Sequence, residues 1–134
     1  MDLNLKDKIV LVTGASRGIG KACAELLAKE GSTIIINYNK NKEAAEKLSK
    51  ELGSNSIAIK ADVSNKDEVK EMFLKIKEKF GKLDVLVNNA GILHDSLLMM
   101  IKESDYDAIL DTNLKGTFLC MQHASKTMMK QKSG

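Results

Sequence analysis

The sequence predicts an α/β protein built around a parallel sheet, and two observations carry that prediction. Short apolar runs rich in β-branched residues alternate along the 134-residue chain with stretches whose apolar residues recur at helical spacing. The first two runs are apolar at nearly every position, as strands buried on both faces of a parallel sheet are. A third observation marks one junction out from the rest. Between the first run and the first helical stretch stands "TGASRGIG", with glycines at 14, 18 and 20.

The elements follow in order. Residues 8–13, "KIVLVT", form the first strand. Ile19, Ala22, Cys23, Leu26 and Leu27 then mark a helix that Gly31 ends. "TIIINY", 33–38, is the second strand. Ala44, Ala45, Leu48 and Leu52 make the second helix, stopped by Gly53. "SIAIKA", 56–61, is the third strand. Val69, Met72, Phe73, Ile76 and Phe80 lie on the third helix, closed by Gly81. "LDVLV", 83–87, is the fourth strand. A loop with a short helix starting near Ser96 is expected over 91–104, with Asp95 as its cap. Its "SLLMMI" core is expected to be buried or to form a substrate-side wall, and its methionine pair to fill core. From Asp105 to about Lys130, the spacing of Tyr106, Ile109, Leu110, Leu114, Thr117, Phe118, Met121 and Met128 predicts one long helix. The chain contains no proline, so glycines and polar caps must end its helices. Strand–helix alternation of this kind builds right-handed βαβ units in one domain, 1–134.

Composition excludes several classes. The net charge of +3 does not argue for a nucleic-acid binder. No apolar run approaches a membrane span, and "MDLNLKDK" has no secretory or transit character, so a cytoplasmic protein is expected. Cys23 and Cys120 lie far apart, without metal spacing, and read as buried free thiols. His94 and His123 also lack partner spacing and read as structural or exposed; no metal is expected. Asp84, early in the fourth strand, is within range of a lysine.

The glycine turn matches a cradle for a diphosphate. Strand, glycine turn and helix N-terminus together present free N–H groups and the positive end of a helix dipole. The spacing G-x-x-x-G-x-G is neither the commonest dinucleotide fingerprint nor a P-loop, because Ile19 follows Gly18 where a P-loop needs lysine. Arg17 is the single arginine beside 20 lysines, and it sits inside this loop. Its planar fork suits a phosphate. After the second strand the chain reads Asn37-Tyr38-Asn39-Lys40, without the acid that binds the ribose hydroxyls of NAD. Arg17, with Lys40 or Lys42, is therefore expected to meet a 2′-phosphate, and the expected cofactor is NADP(H).

This loop, with its strand and helix, resembles the signature of the short-chain dehydrogenase/reductase family. Further motifs of the family follow in order: Ala61-Asp62-Val63 closing the third strand, Asn88-Asn89-Ala90-Gly91 ending the fourth, and Asn113 within "DTNLKGTF" on the long helix. The resemblance spans about residue 5 to 134. It implies a Rossmann-type doubly wound parallel sheet, here taken as far as the fourth strand and a long helix. It implies cofactor-binding roles for Gly14, Ser16, Arg17, Gly18, Ile19, Gly20, Asn37, Asn39, Asp62, Val63, Asn89, Ala90 and Gly91. Asp62 and the Val63 N–H are assigned to adenine, and Asn89, Ala90 and Gly91 to the nicotinamide-side ribose. Asn88 is expected to stabilise the sheet edge. Asn113 is the catalytic candidate, a buried amide on the inner stripe of the helix that holds a water for a proton relay.

"NNAGILHDSLLMMI" is similar to the segment of those family members that reduce 3-oxoacyl thioesters on acyl carrier protein. The resemblance thus implies NADPH-dependent reduction of a carrier-protein-linked substrate, as in fatty acid synthesis. A reductase of a sugar, steroid or small ketone, and a non-catalytic dinucleotide-binding module, are the alternatives. The family's proton-donating tyrosine, its lysine four residues later and its carbonyl-polarising serine match nothing in 1–134. Tyr38 and Lys42 have the spacing but follow the second strand, Tyr106 has Leu110 four residues on, and Ser133 is too early. The chain is therefore expected to be a fragment, inactive alone. An open fourth strand and an uncovered apolar stripe on the long helix are expected to make it a homo-oligomer.

Overall fold

The computed structural model describes residues 2–134. Strands β1 (Ile9–Val12), β2 (Thr33–Tyr38), β3 (Ile57–Lys60) and β4 (Val85–Val87) form one parallel sheet in the order β3-β2-β1-β4. Leu11 lies opposite Ile35 on one side and Leu86 on the other. Helices α1 (Gly18–Lys29), α2 (Lys42–Leu52) and α3 (Lys66–Phe80) make the crossovers. The sequence-predicted α/β class and parallel, Rossmann-like sheet are therefore what the chain adopts.

Continuous apolar strands are needed because both faces are covered. Leu11 and Ile35 face a core with Val69, Met72, Phe73 and Ile76 of α3. Val10, Val12, Ile34 and Ile36 face the other, with Ala24 of α1 and Ala45 and Leu48 of α2. Each strand thus buries successive residues in opposite directions.

Helix ends follow local chemistry. The Asn65 side chain accepts from the N–H groups of Asp67 and Glu68 and starts α3. Gly81, in the left-handed region at φ +71°, closes it. By contrast, no side chain caps the N-terminus of α1. Ile19 and Leu26, assigned to the apolar stripe of α1, are 78% and 63% exposed.

Beyond β4 the sequence reading needs three corrections. The short helix is a single 3-10 turn, Leu98–Met100, preceded by Leu97 with no side-chain cap, so Asp95 does not cap it. The "SLLMMI" segment is exposed, Met99 at 89%, and fills no core. The long helix is α4 (Glu103–Leu110) and α5 (Gly116–Gln131), joined by a π turn at Asp111–Lys115. All three pieces keep helical backbone, and the Gly116 N–H reaches back five residues to the Asp111 carbonyl. Leu119, Cys120 and Ala124 of α5 pack on the α3 side of the core. Tyr106, Leu114, Phe118 and Met121 remain exposed, as does the outer edge of β4.

His123 on α5 stacks on Phe73, with ring centroids 5.2 Å apart. Burial, and the positive charges of Lys126, Lys70 and Lys66, push its pKa below the usual histidine value. Burial raises the Cys120 thiol to about 11, as suits an inert buried thiol; Cys23 is only half-buried. Asp84 makes the expected lysine pair, 3.1 Å from Lys82. Burial opposes its charge, but the Ile9 N–H at 2.8 Å and Lys82 prevail and hold its carboxyl below the usual range. No helix is long and apolar enough to cross a membrane among the described residues.

Candidate cofactor site

The strand order locates the site. From β1 the chain runs outward through β2 and β3, then crosses back to place β4 on the other side of β1. At such a switch point the loops leaving two adjacent strands diverge and open a crevice at their carboxyl ends. Here those loops are 13–17, after β1, and 88–91, after β4.

Thr13 joins them. Its hydroxyl oxygen accepts from the N–H groups of Asn89 and Ala90, at 2.9 and 3.0 Å. Its own N–H donates to the Val87 carbonyl at 3.1 Å. In return the Asn89 side-chain NH2 donates to the carbonyls of Thr13 and Gly14, both at 3.0 Å. The sequence reading had Asn88 stabilise the sheet edge, but Asn88 is exposed and makes no side-chain hydrogen bond among the described residues. The stapling amide is Asn89.

The glycines at 14 and 20 are demanded by this packing. Gly14 has φ +60°, and a Cβ there would lie 2.8 Å from the Ala90 Cα. A Cβ on Gly20 would strike the Asn89 side-chain nitrogen and lie 2.7 Å from the Gly14 carbonyl. Helix α1 can therefore begin flush against the loop.

The floor of the loop is held from β2. The Asn37 carbonyl accepts from the Ala15 N–H at 3.0 Å, and its side-chain oxygen accepts from the Gly14 N–H at 3.2 Å. The Asn37 NH2 donates to the carbonyls of Ala61, at 3.0 Å, and Ile59, at 3.4 Å. Asn37 is only 2% exposed. Its side chain thus lies beneath the loop, bonded to Gly14, Ile59 and Ala61.

The open side differs. The N–H groups of residues 16–20 find no acceptor among the described residues. They gather at the uncapped N-terminus of α1, where the helix dipole is positive. Arg17, Gly18 and Ile19 are exposed there, Ser16 partly so. Asn39 and Lys40 are exposed after β2. Asp62 accepts from the Ser64 N–H and hydroxyl through one oxygen, and the Val63 N–H has no acceptor among the described residues. The Val63 side chain is packed against the start of α5, where a Cβ on Gly116 would come within 2.6 Å of it.

Asn113 lies in the π turn and is exposed, not buried as expected. Its amide is nevertheless satisfied, accepting from the Ile92 N–H at 2.8 Å and donating to the Ile92 carbonyl at 2.9 Å. The two bonds hold the segment beyond Gly91 against the helix. The periodicity of 105–130 gave no signal of the π turn, nor of Thr13 as the hub. A cleft of about 220 Å³ between the C-terminal turns of α3 and α5 lies at the opposite end of the sheet and plays no part in this site. No cluster of three metal-ligating side chains exists among the described residues.

A parallel doubly wound sheet, with a glycine loop and helix N-terminus at its switch point, defines the class of α/β nucleotide-fold proteins. Residues 8–134 match the family model described as short chain dehydrogenase, and the chain belongs to that family. Its relatives include the 3-oxoacyl-[acyl-carrier-protein] reductase FabG of Staphylococcus aureus, 52% identical over 130 residues, covering 95% of this chain and 53% of that protein. FabG of Staphylococcus epidermidis is 50% identical over 131 residues, covering 96% and 54%. The 3-oxoacyl-[acyl-carrier-protein] reductase of Synechocystis sp. is 47% identical over 133 residues, covering 97% and 54%. The chain spans about half the length of these relatives.

Proposed function

We propose that the chain binds NADP(H) as the cofactor-binding part of a reductase that converts a 3-oxoacyl thioester on acyl carrier protein to its 3-hydroxyacyl form. The observation that carries this reading is the row of unpaired N–H groups at 16–20, gathered at an uncapped helix N-terminus beside Arg17. A diphosphate is the ligand such a row suits. The glycines at 14, 18 and 20 keep the loop backbone bare, and Asn89 and Thr13 hold it in place. The Arg17 guanidinium and Lys40 supply positive charge for a 2′-phosphate where the NAD-type acid is absent. Asp62 and the Val63 N–H are assigned to the adenine, and Ala90 and Gly91 to the nicotinamide side. When bound, the cofactor supplies a hydride; these residues bind and orient it. The relatives' names support the thioester substrate. Asn113 contributes by fixing the Ile92 backbone beside that border. The exposed apolar stripe of α4 and α5 supports pairing with a second copy.

The test is the cofactor preference of Arg17→Ala, followed by fluorescence titration. NADPH affinity should fall about tenfold or more, while NADH affinity changes less than about twofold, since only the 2′-phosphate contact is lost. Equal losses for the two would count against the assignment.

A further inference from the structure

Asn37 is a polar side chain lodged near the buried end of β2, and it touches three different parts of the chain. Its side-chain oxygen takes the Gly14 N–H, its NH2 takes the carbonyls of Ile59 and Ala61, and its backbone carbonyl takes the Ala15 N–H. Two consecutive N–H groups of the glycine loop are thus drawn down onto β2. The next five, at 16–20, find no acceptor among the described residues.

From this geometry we propose that Asn37 is a positioning residue for the dinucleotide. It acts through the loop, sorting N–H groups into those that hold the cradle and those that meet the diphosphate. The proposal rests on the dinucleotide reading above and deepens it. Because the diphosphate is common to both cofactors, loss of Asn37 should weaken NADP and NAD alike. Loss of Arg17 should not.

The amide is specified by its partners. It must accept from one N–H on one side and donate to two carbonyls on the other, and only an amide at this position does both. A carboxylate of the same shape keeps the acceptor but faces the carbonyls of Ile59 and Ala61 with negative charge. Burial raises the pKa of such an acid, and once protonated it donates again. Asn37→Asp therefore converts the hydrogen-bond pattern into something pH can switch, at nearly constant volume. The charged and titratable groups on the surrounding elements are Arg17 on the loop, Tyr38 at the end of β2 and Lys40 after it, and Lys60 at the end of β3 and Asp62 after it. All are common to variant and parent, so the ratio of their affinities at each pH removes them and the titration of the 2′-phosphate.

The experiment is a binding titration of NADP+ and NAD+ to the 134-residue chain and to Asn37→Asp, at about pH 5 and pH 8, with the fold followed by circular dichroism. For both cofactors the variant should bind about tenfold or more weakly than the parent at pH 8 and approach it at pH 5. A ratio near one at pH 8 overturns the proposal. So does a ratio that is the same at both pH values, which packing alone would produce. If the variant does not fold at pH 8, hydrogen exchange in the parent decides. A Gly14 amide as slow to exchange as that of Ala15 supports the role, and a fast one overturns it. A parent chain that binds neither cofactor would sink the dinucleotide reading, while Gly14 exchange would still report on the Asn37 contact.

Discussion

Two loops leave neighbouring strands at the same end of the sheet, and they are built in opposite ways. The loop after β1 is short, rich in glycine and fastened on two sides: by Thr13 and Asn89 to the end of β4, by Asn37 to β2 and β3. Its contacts are polar, and its few exposed groups are N–H donors and one guanidinium. The segment after β4 is long and apolar, and beyond Gly91 the Asn113 amide ties it to the π turn. Its apolar side chains face outward, Leu98 at 89% exposure. The difference teaches where specificity is stored. A cradle for an anion must be ordered before the ligand arrives, because each disordered N–H costs entropy on binding. An apolar surface needs no such directional preparation, since contact with an apolar partner is indifferent to angle.

That contrast can be broken at its strong end first. Gly20→Ala should be the most damaging change, because the new methyl meets Asn89 and the Gly14 carbonyl at once. We expect a loss of roughly 2–3 kcal/mol in urea denaturation, of the size overpacking produces. A loss below about 0.5 kcal/mol would mean the loop is not fastened as described. Thr13→Val removes the hydroxyl that takes two N–H groups while keeping the shape. Leaving those groups unpaired should cost about 1–3 kcal/mol. Amide exchange at Asn89 and Ala90 should also quicken, and unchanged exchange would refute the hub. At the loose end, Leu98→Ser should leave thermal stability within about 0.5 kcal/mol of the parent in dilute solution. A larger loss there would show that the segment is covered after all.

Much of the fold was legible because parallel strands and amphipathic helices write themselves in periodicity. β2 runs over 33–38 as read, and β1 and β3 differ only at their ends. β4 is shorter than 83–87 for a reason periodicity cannot hold. At Leu83 the backbone N–H and carbonyl are taken by the side-chain amide of Gln131, 48 residues away, in place of a strand. The π turn was hidden because its backbone angles are those of the helix around it. The role of Asn37 was hidden for a different reason. A strand buried on both faces shows no polar and apolar alternation, so nothing in "TIIINY" says which way its asparagine points. The edge-holding role was given to Asn88 when the Asn89 side chain plays it, because two identical neighbours differ only in direction. Apolar composition also misled at "SLLMMI", since composition reports a wish for burial and not the presence of a partner.

The π turn at Asp111–Lys115 adds one residue to a helix. In a helix one residue is about 100° of rotation. The extra residue therefore acts as a phase shift between two faces, letting α4 carry one orientation and α5 another. A deletion of one residue here would make a more regular helix and a worse protein. It would turn Leu119, Cys120 and Ala124 away from α3, or else drag Asn113 off the Ile92 backbone. The irregularity is thus a setting of phase, in which the sheet-facing stripe and the site-facing asparagine are each in register only because the helix between them is not.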